Sequence, residues 1–359
     1  MTERFRISVR RLRNRLHRWG RNLLHNRLWV RFGGVTYFRV PRANHRLDCD
    51  DPGLDRNSAR LYLRASRLVG RTIGTSETAI SVPHLGMFGN AMAAFMPVVA
   101  RAISNQIAHV VVHHESVLSS PDEFGKRGRF ELASGITLWL DSAPTRRNNR
   151  ISALLGDKAL TAAPDEKTGS RAWSEVSNIL LGEARLRCTD ESTLVIHLRG
   201  GDVYGGNRHL LNHGQPPLAY YELVLDKEPW NRVVVVHQGT KMPVFEPLIL
   251  ACQKRKIPVE TQSENLMADL SRLLTATTIV AGRGSFVPQI VGLSRCVKTV
   301  YTFESGFGLS VPKAGLTVHR VFDDAGEYRK SVLSNNWRNT PEQRRLQVEY
   351  PVDALRLEV

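Results

Sequence analysis

The sequence predicts an α/β fold made of two Rossmann-like domains, each with a parallel sheet covered by helices. The chain has 359 residues, which is enough for two domains of ordinary size. Hydrophobic residues make up 42% of it and charged residues 23%, as in folded globular proteins. Between residues 193 and 301, short apolar segments alternate with amphipathic ones, an order typical of a doubly wound sheet. We expect the domains to cover residues 35–180 and 181–305, between a basic arm over 1–34 and an extension over 306–359 that packs back on the first domain.

Residues 1–34 form a strongly basic arm. Ten arginines and one acidic residue, Glu3, give this segment a charge of +9 out of the net +16 of the chain. Apolar residues recur from Phe5 to Leu23 at alternating intervals of four and three, which predicts an amphipathic helix. Such a helix suits an anionic membrane surface. Docking on the body of the protein and binding of a partner are alternatives, and binding of nucleic acid is the least favoured one.

The start of the sequence lacks the features of a secretory signal, because its basic region is not followed by an uninterrupted apolar core. No run approaches the roughly eighteen apolar residues that a membrane span needs. We therefore expect a cytoplasmic protein, which the arm could hold at the inner face of the membrane. The scattered cysteines agree with that compartment, and we expect free thiols rather than disulfides or a zinc site at Cys49, Cys188, Cys252 and Cys296.

Asp48 and Asp50 form an Asp-x-Asp pattern, which in some enzymes holds a divalent cation. The pattern lies in the turn-rich stretch Asp48-Cys49-Asp50-Asp51-Pro52-Gly53, and solvated aspartates in a turn explain it as well. We predict no metal site here.

The first clear unit of the first domain is a strand over residues 79–82 and a glycine-bearing loop that contains Gly86, Gly89 and Asn90. A helix over residues 91–104 and a strand over 108–113 follow, and strand–loop–helix–strand is the repeating unit of an open parallel sheet. A polar, linker-like stretch covers residues 163–170.

The second domain shows the clearest alternation of strands and helices. The apolar run Val233–Val236 is typical of a strand that is buried on both faces of a sheet. The predicted strands cover residues 193–197, 232–237, 257–260, 277–281 and 297–301, and the predicted helices cover 217–225, 244–254, 265–274 and 286–293.

Two strands of this domain end in loops that suit a negatively charged ligand, and ligands bind at the carboxyl ends of parallel strands. In the first loop, Arg199 supplies a permanent charge, and Gly200 and Gly201 let the backbone approach closely. In the second, Ser285 begins a helix whose N-terminal amides attract anions, and Arg283 could add charge. A surface arginine in a tight turn and an ordinary strand-to-helix turn are the alternatives.

These segments resemble those of the fucosyltransferase superfamily, which includes α1,2-, α1,6- and protein O-fucosyltransferases. His197-Leu198-Arg199-Gly200-Gly201-Asp202 is similar to the family's His-x-Arg peptide, and Leu85–Asn90 is similar to its Gly-x-x-Gly-Asn loop. Met267–Leu274 resembles a later segment in which an aspartate opens a hydrophobic helix, and Ala281–Phe286 resembles the serine-rich loop that follows. The four segments occur in the family's order over roughly residues 79–302.

The resemblance implies a GT-B architecture, in which two Rossmann-like domains face each other across a cleft. It implies GDP-fucose as the donor, inversion at the anomeric carbon, and neither a metal nor another cofactor. The acceptor would be a glycan or a lipid-linked molecule.

The resemblance also assigns roles to residues. Arg199 would hold the diphosphate, His197 would lie near the nucleoside, and Asp269 would hydrogen-bond the guanine. Ser285 and Phe286 would meet the phosphates. Gly86, Gly89 and Asn90 would close the far side of the cleft.

The sequence departs from the family where Gly200 replaces a second arginine and where the serine-rich loop has a single serine and Arg283. Another nucleotide sugar therefore stays open as the donor. Asp202 is a candidate general base, with capping of the Gly-Gly turn as its alternative, and His84 and Glu264 are weaker candidates.

The sequence also leaves open two functions other than a glycosyltransferase. One is a non-catalytic protein whose basic arm binds anionic lipid or nucleic acid. The other is a dinucleotide-binding enzyme, which is disfavoured because no Gly-x-Gly-x-x-Gly follows a strand.

Overall fold

The computed structural model describes residues 29–32, 35–38, 79–82, 87–112, 117–119, 128–140, 165–181, 187–205, 211–304, 313, 315–334 and 336–358. The chain divides into two compact units, Met1–Glu175 and Val176–Val359. The division lies close to the domain boundary that we predicted at residue 180.

The first unit contains a small four-stranded sheet with helices between its strands. Its described elements are, in order, β1 (Trp29–Phe32), β2 (Val35–Phe38), β3 (Ala79–Val82), α1 (Phe88–Ser104), β4 (His109–Val112), a short 3₁₀ turn (Val117–Ser119), β5 (Gly128–Glu131), β6 (Thr137–Leu140) and the first part of α2 (Glu166–Leu181). The sheet has the order β3-β4-β6-β5, in which β3, β4 and β6 are parallel and β5 is antiparallel to β6. β1 and β2 form a separate antiparallel pair.

The second unit contains a seven-stranded sheet. Its described elements are, in order, β7 (Thr193–Leu198), a 3₁₀ turn (Gly201–Tyr204), α3 (Leu218–Leu225), β8 (Arg232–His237), α4 (Phe245–Lys254), β9 (Val259–Gln262), α5 (Leu266–Thr275), β10 (Thr278–Ala281), α6 (Phe286–Leu293), β11 (Thr299–Phe303), β12 (Thr317–Asp323), a π-helical turn (Arg329–Leu333), α7 (Pro341–Glu349), a 3₁₀ turn (Val352–Ala354) and β13 (Leu355–Glu358). The sheet has the order β13-β12-β11-β10-β7-β8-β9, and only β13 runs antiparallel to its neighbour. The α/β class with parallel sheets is confirmed, and it is consistent with a GT-B type fold.

The central strands of this sheet are apolar because both of their faces are covered. All six residues of β7 and all four of β10 are buried, as are the last five of β8. The near-continuous apolar runs that predicted these strands are what a parallel sheet between two helical layers requires.

The order of the strands places a topological switch point between β7 and β10. From β7 the chain adds β8 and β9 on one side, then returns and adds β10, β11 and β12 on the other. The loops that follow β7 and β10 therefore diverge, and in open α/β sheets ligands bind in the crevice that such loops leave.

Two predictions about the first unit need correction. Residues 29–32 lie inside the predicted helical arm but form β1, which pairs with β2 in the antiparallel direction. The rest of the arm, and Asp48 and Asp50, lie outside the described residues. The predicted linker over 163–170 is helical from Glu166, because Asp165 caps the helix by accepting a hydrogen bond from the Thr168 amide at 2.7 Å.

The C-terminal extension belongs to the second unit, and its packing on the first domain stays a prediction. β12 extends the sheet beside β11, and β13 closes it in the antiparallel direction. β12 and β13 have mixed polarity, so their sequences lack the apolar runs that predict the central strands. α7 carries a complete capping box between Thr340 and Gln343.

A disulfide joins Cys188 to Cys296, and the expectation of free thiols is wrong for these two residues. Cys188 precedes β7 and Cys296 precedes β11, so both lie at the amino edge of the sheet, with a Cα–Cα distance of 5.3 Å. Their separation of 108 residues gives no spacing signal, because only the folded sheet brings them together. Cys252 is free and buried, and Cys49 lies outside the described residues.

Among the described helices, none has both the length and the apolar character needed to cross a membrane.

Candidate functional site

The loops that follow β7 and β10 meet at the switch point. The Gly282 amide donates a hydrogen bond to the carbonyl of His197 at 2.9 Å, so the two loops start side by side. A Cβ atom at position 282 would lie 2.8 Å from that carbonyl, which explains why glycine follows β10. The two segments that the sequence singled out, His197–Asp202 and Gly282–Ser285, thus belong to one place in the structure.

The guanidinium of Arg199 lies against Gly284. A Cβ atom at position 284 would lie 2.4 Å from Arg199 Nη1 and 3.4 Å from Cζ, and Gly284 has φ +147°, a conformation that favours glycine. The Arg199 side chain is 19% exposed. The loop after β10 therefore leaves space for the guanidinium at Gly284, where a side chain would displace it.

The charge of Arg199 is only loosely balanced. Burial lowers its pKa, and Asp202 partly offsets that effect. The Asp202 carboxylate is 3.7 Å from the guanidinium and its side chain is 55% exposed, so the contact is a weak ion pair. Arginine stays protonated in such surroundings. A half-buried cation with one solvated carboxylate beside it is suited to an anionic ligand.

Gly200 and Gly201 hold the Arg199 loop against the end of β8. A Cβ atom at position 200 would lie 2.3 Å from the carbonyl oxygen of Gln238. Gly201 has φ +55° and donates its amide to the same oxygen at 3.1 Å. Gly200 is buried and Gly201 is exposed. The buried glycine is therefore required for packing, and the predicted approach of the backbone to a ligand stays a prediction.

His197 is the last but one residue of β7 and is only 3% exposed. Burial, with a smaller contribution from the charge of Arg199, lowers its pKa to about 3, so the ring is neutral at physiological pH. Its Nδ1 atom has no hydrogen-bond partner among the described residues. The ring lies 5.3 Å from the ring of Phe286. His197 is thus an uncharged polar group beside Arg199 rather than a fully hydrogen-bonded strand-end histidine.

Helix α6 begins at the site, with Ser285 as its N-cap residue and Phe286 as its first residue. Its N-terminal amides and the positive end of its dipole therefore lie next to the loop that supports Arg199. The prediction that a helix starts here is confirmed, whereas contact of these two residues with phosphate stays a prediction.

Asp269 lies in the first turn of α5, after β9. Its Oδ1 atom accepts hydrogen bonds from the Gln262 side chain at 3.2 Å and from the Glu264 amide at 3.4 Å. β8 separates β9 from β7, so Asp269 is on the same edge of the sheet as Arg199 but not in its loop. Its predicted contact with a base stays a prediction.

The first-unit candidates are only partly described. Gly86 lies outside the described residues. Gly89 and Asn90 belong to α1 rather than to the predicted loop, because the helix starts at Phe88, three residues earlier than expected. Phe88 is buried with Met92, and this apolar stripe extends the helix towards its N-terminus.

The C-terminal segment supports the site, which the sequence did not suggest. Trp337 donates its indole N–H to the carbonyl of Val203 at 3.0 Å, and the Asn339 amide donates to the carbonyl of Tyr204 at 3.2 Å. Val203 and Tyr204 continue the Arg199 loop. The only sequence signal was the presence of aromatic residues in a polar segment, which indicates burial but not its partner.

Within the described part of the chain, no group of three or more histidine, cysteine, aspartate or glutamate side chains is arranged to hold a metal ion.

Comparison with known proteins gives two solved structures with low similarity. One is the structure of E. coli ADP-heptose LPS heptosyltransferase II, which is 9% identical with a TM-score of 0.26 over 73% of this chain and 86% of that chain. The other is E. coli heptosyltransferase WaaC with ADP, which is 11% identical with a TM-score of 0.26 over 74% of this chain and 88% of that chain. A scan against protein-family models gives no match, and neither does a search among curated proteins. At this level of similarity, function has to be argued from the residues of the chain itself.

Proposed function

We propose that this protein is a glycosyltransferase that binds the diphosphate of a nucleotide sugar at the switch point between β7 and β10. The observation on which this depends is the half-buried Arg199 guanidinium, which rests on Gly284 beside the N-terminus of α6. A diphosphate needs a fixed cation and several N–H donors, and this place offers both.

The proposed reaction is a direct displacement that inverts the anomeric carbon. An acceptor hydroxyl attacks the anomeric carbon, the bond to the diphosphate oxygen breaks, and the hydroxyl proton passes to a base or to water. Negative charge grows on the leaving diphosphate, where Arg199 and the amides of α6 would stabilise it. This interaction strengthens in the transition state and therefore accelerates the reaction, and no step of this scheme needs a metal.

We propose GDP-fucose as the donor, because of the resemblance of His197–Asp202 to the fucosyltransferase peptide. His197 would add an uncharged hydrogen-bonding group near the nucleoside, since its buried Nδ1 has no partner among the described residues. Another nucleotide sugar is the alternative. The acceptor would be a glycan or a lipid-linked molecule, and the basic arm over residues 1–34 would hold the enzyme at an anionic membrane surface.

The first experiment identifies the nucleotide. Thermal stability would be measured with GDP, UDP, CMP and ADP. Because the proposed donor is GDP-fucose, we expect GDP to raise the melting temperature most. A ligand at a hundred times its Kd stabilises the folded protein by about 2.7 kcal/mol. GDP release from GDP-fucose would then be followed with a panel of acceptors, with and without chelator. Loss of activity in chelator would contradict the metal-independent scheme, and no stabilisation by any of the nucleotides would contradict the proposed function.

Asp202 gives a second prediction about the site. Its carboxylate competes with a diphosphate for Arg199, and a group beside the leaving-group cation is poorly placed to deprotonate a hydroxyl on the opposite face of the sugar. We therefore expect Asp202→Asn to tighten nucleotide binding about fivefold, which corresponds to about 1 kcal/mol, and to change kcat by less than about tenfold.

The control for this variant is Asp226→Asn. Asp226 pairs with Arg255, and its side chain is 59% exposed, close to the value for Asp202. It follows α3 and precedes β8, so it lies at the amino edge of the sheet, away from the proposed site. We expect no change in nucleotide affinity there. A loss of about a hundredfold or more in kcat for Asp202→Asn, with unchanged affinity, would instead identify Asp202 as the general base.

A further inference from the structure

We propose that Gln215 is a positioning residue for the donor site, because its side chain fixes the loop on which Arg199 rests. This inference depends on the proposed function, since the loop matters only if Arg199 meets a diphosphate. Gln215 lies between the Arg199 loop and α3 in the sequence, and it is only 3% exposed.

The side-chain amide of Gln215 pairs with the backbone of Arg283 at two points. The Arg283 amide donates to Gln215 Oε1 at 3.0 Å, and Gln215 Nε2 donates to the Arg283 carbonyl at 3.2 Å. Nε2 also donates to the His213 carbonyl at 2.8 Å, so both ends of the amide are engaged. The side chain thus binds the loop after β10 as a neighbouring strand would.

This pairing determines the orientation of the peptide beneath Arg199. The Arg283 carbonyl belongs to the peptide group that continues into Gly284, so its hydrogen bond to Gln215 restricts rotation of that peptide. Gly284 is the residue against which the Arg199 guanidinium packs. A change in the peptide would therefore displace the support of the guanidinium, and small displacements of a binding group have large effects on rate.

Gln215 is itself held by the C-terminal segment. Its carbonyl accepts hydrogen bonds from the Tyr328 hydroxyl at 2.5 Å and from the Gln347 amide at 3.3 Å. The preceding Gly214 lies so close to Val332 that a Cβ atom would be 2.3 Å from the Val332 carbonyl oxygen. The backbone of Gln215 cannot shift without moving this segment, so its side chain is a rigid support for the loop.

A structural role alone would also make Gln215 important for stability, because a buried amide that loses its partners costs free energy. Stability therefore does not separate the two roles, but donor affinity does. If Gln215 only fills the core, its replacement would lower the melting temperature and leave the Kd of the folded protein for the donor unchanged. If Gln215 is a positioning residue, its replacement would weaken binding of the donor and leave the KM for the acceptor the same.

The test compares Gln215→Met with wild type, Arg199→Ala and Ser177→Ala. Methionine matches glutamine in length but removes the amide, whereas Ser177 donates to the Leu293 carbonyl at the far end of α6 and serves as a control for loss of one buried hydrogen bond. The Kd of the nucleoside diphosphate that best stabilises the wild-type protein would be measured well below each melting temperature. We expect about a tenfold weaker Kd and a raised donor KM for Gln215→Met, and no change for Ser177→Ala.

A second variant covers the case in which Gln215→Met does not fold. Tyr328→Phe removes the hydroxyl that holds the Gln215 carbonyl and keeps the ring, so we expect a weaker effect in the same direction. Wild-type affinity in both variants, with binding lost in Arg199→Ala, would overturn the role of Gln215 and leave the proposed function standing. Failure of the wild-type protein to bind any of GDP, UDP, CMP or ADP would overturn the proposed function, and the inference with it.

Discussion

Replacement of Arg199 by alanine is expected to reduce turnover of the nucleotide sugar by about a hundredfold or more and to weaken binding of the nucleoside diphosphate. The guanidinium packs against Gly284 beside the start of α6, and its loss removes the cation that the proposed mechanism places on the leaving diphosphate. We expect Arg199→Lys to recover little, because an ammonium group cannot offer two parallel N–H donors to a diphosphate.

The matched control is Arg255→Ala. The Arg255 side chain is 25% exposed, close to the 19% of Arg199, and it pairs with Asp226. It lies after α4, just before β9 begins, and therefore at the amino edge of the sheet. We expect this variant to lose stability and keep full activity. An Arg199→Ala enzyme with wild-type kcat and Kd would remove Arg199 from the proposed mechanism.

The central strands could be predicted from the sequence because their burial leaves a local mark. Val233–Val236 and Leu194–Ile196 are apolar at every position, since both faces of the sheet are covered, and a single window of sequence records this. β12, which lies next to the edge strand β13, has exposed and half-buried positions, so its pattern resembles that of a loop. Prediction therefore succeeded at the centre of the sheet and failed on the side where β12 and β13 lie.

In the candidate site, too, some features could be predicted from a short stretch of sequence, whereas others depend on the folded structure. The glycines and the arginine after β7 indicate an anion-binding loop in the sequence itself, because their types and spacing are unusual at the end of a strand. The proximity of Arg199 to Gly284 depends on the order of the strands, which periodicity does not contain. Gln215 and the disulfide partner Cys296 are recognised only through contacts with residues far away in the sequence.

Replacement of Gly284 by alanine tests the geometry of the site without removing any of its charges. The new Cβ atom would lie 2.4 Å from Arg199 Nη1, so the guanidinium has to move away. Because Nη1 is the far end of a flexible side chain, this movement costs little stability, and the strain at φ +147° adds only about 1–3 kcal/mol. We expect a folded protein in which turnover falls about a hundredfold, since a displacement of about 1 Å can have that effect.

Gly315→Ala separates backbone strain from displacement of the guanidinium. Gly315 also has a positive φ, +73°, but apart from its chain neighbours the described structure has no atom within 4 Å of its Cβ position. We expect both variants to melt at a lower temperature and only Gly284→Ala to lose donor affinity. Equal activities of the two variants would mean that contact with Gly284 does not determine the position of the Arg199 guanidinium. A loss confined to Gly284→Ala would mean that the position of the guanidinium, and not merely its charge, is what the two loops provide.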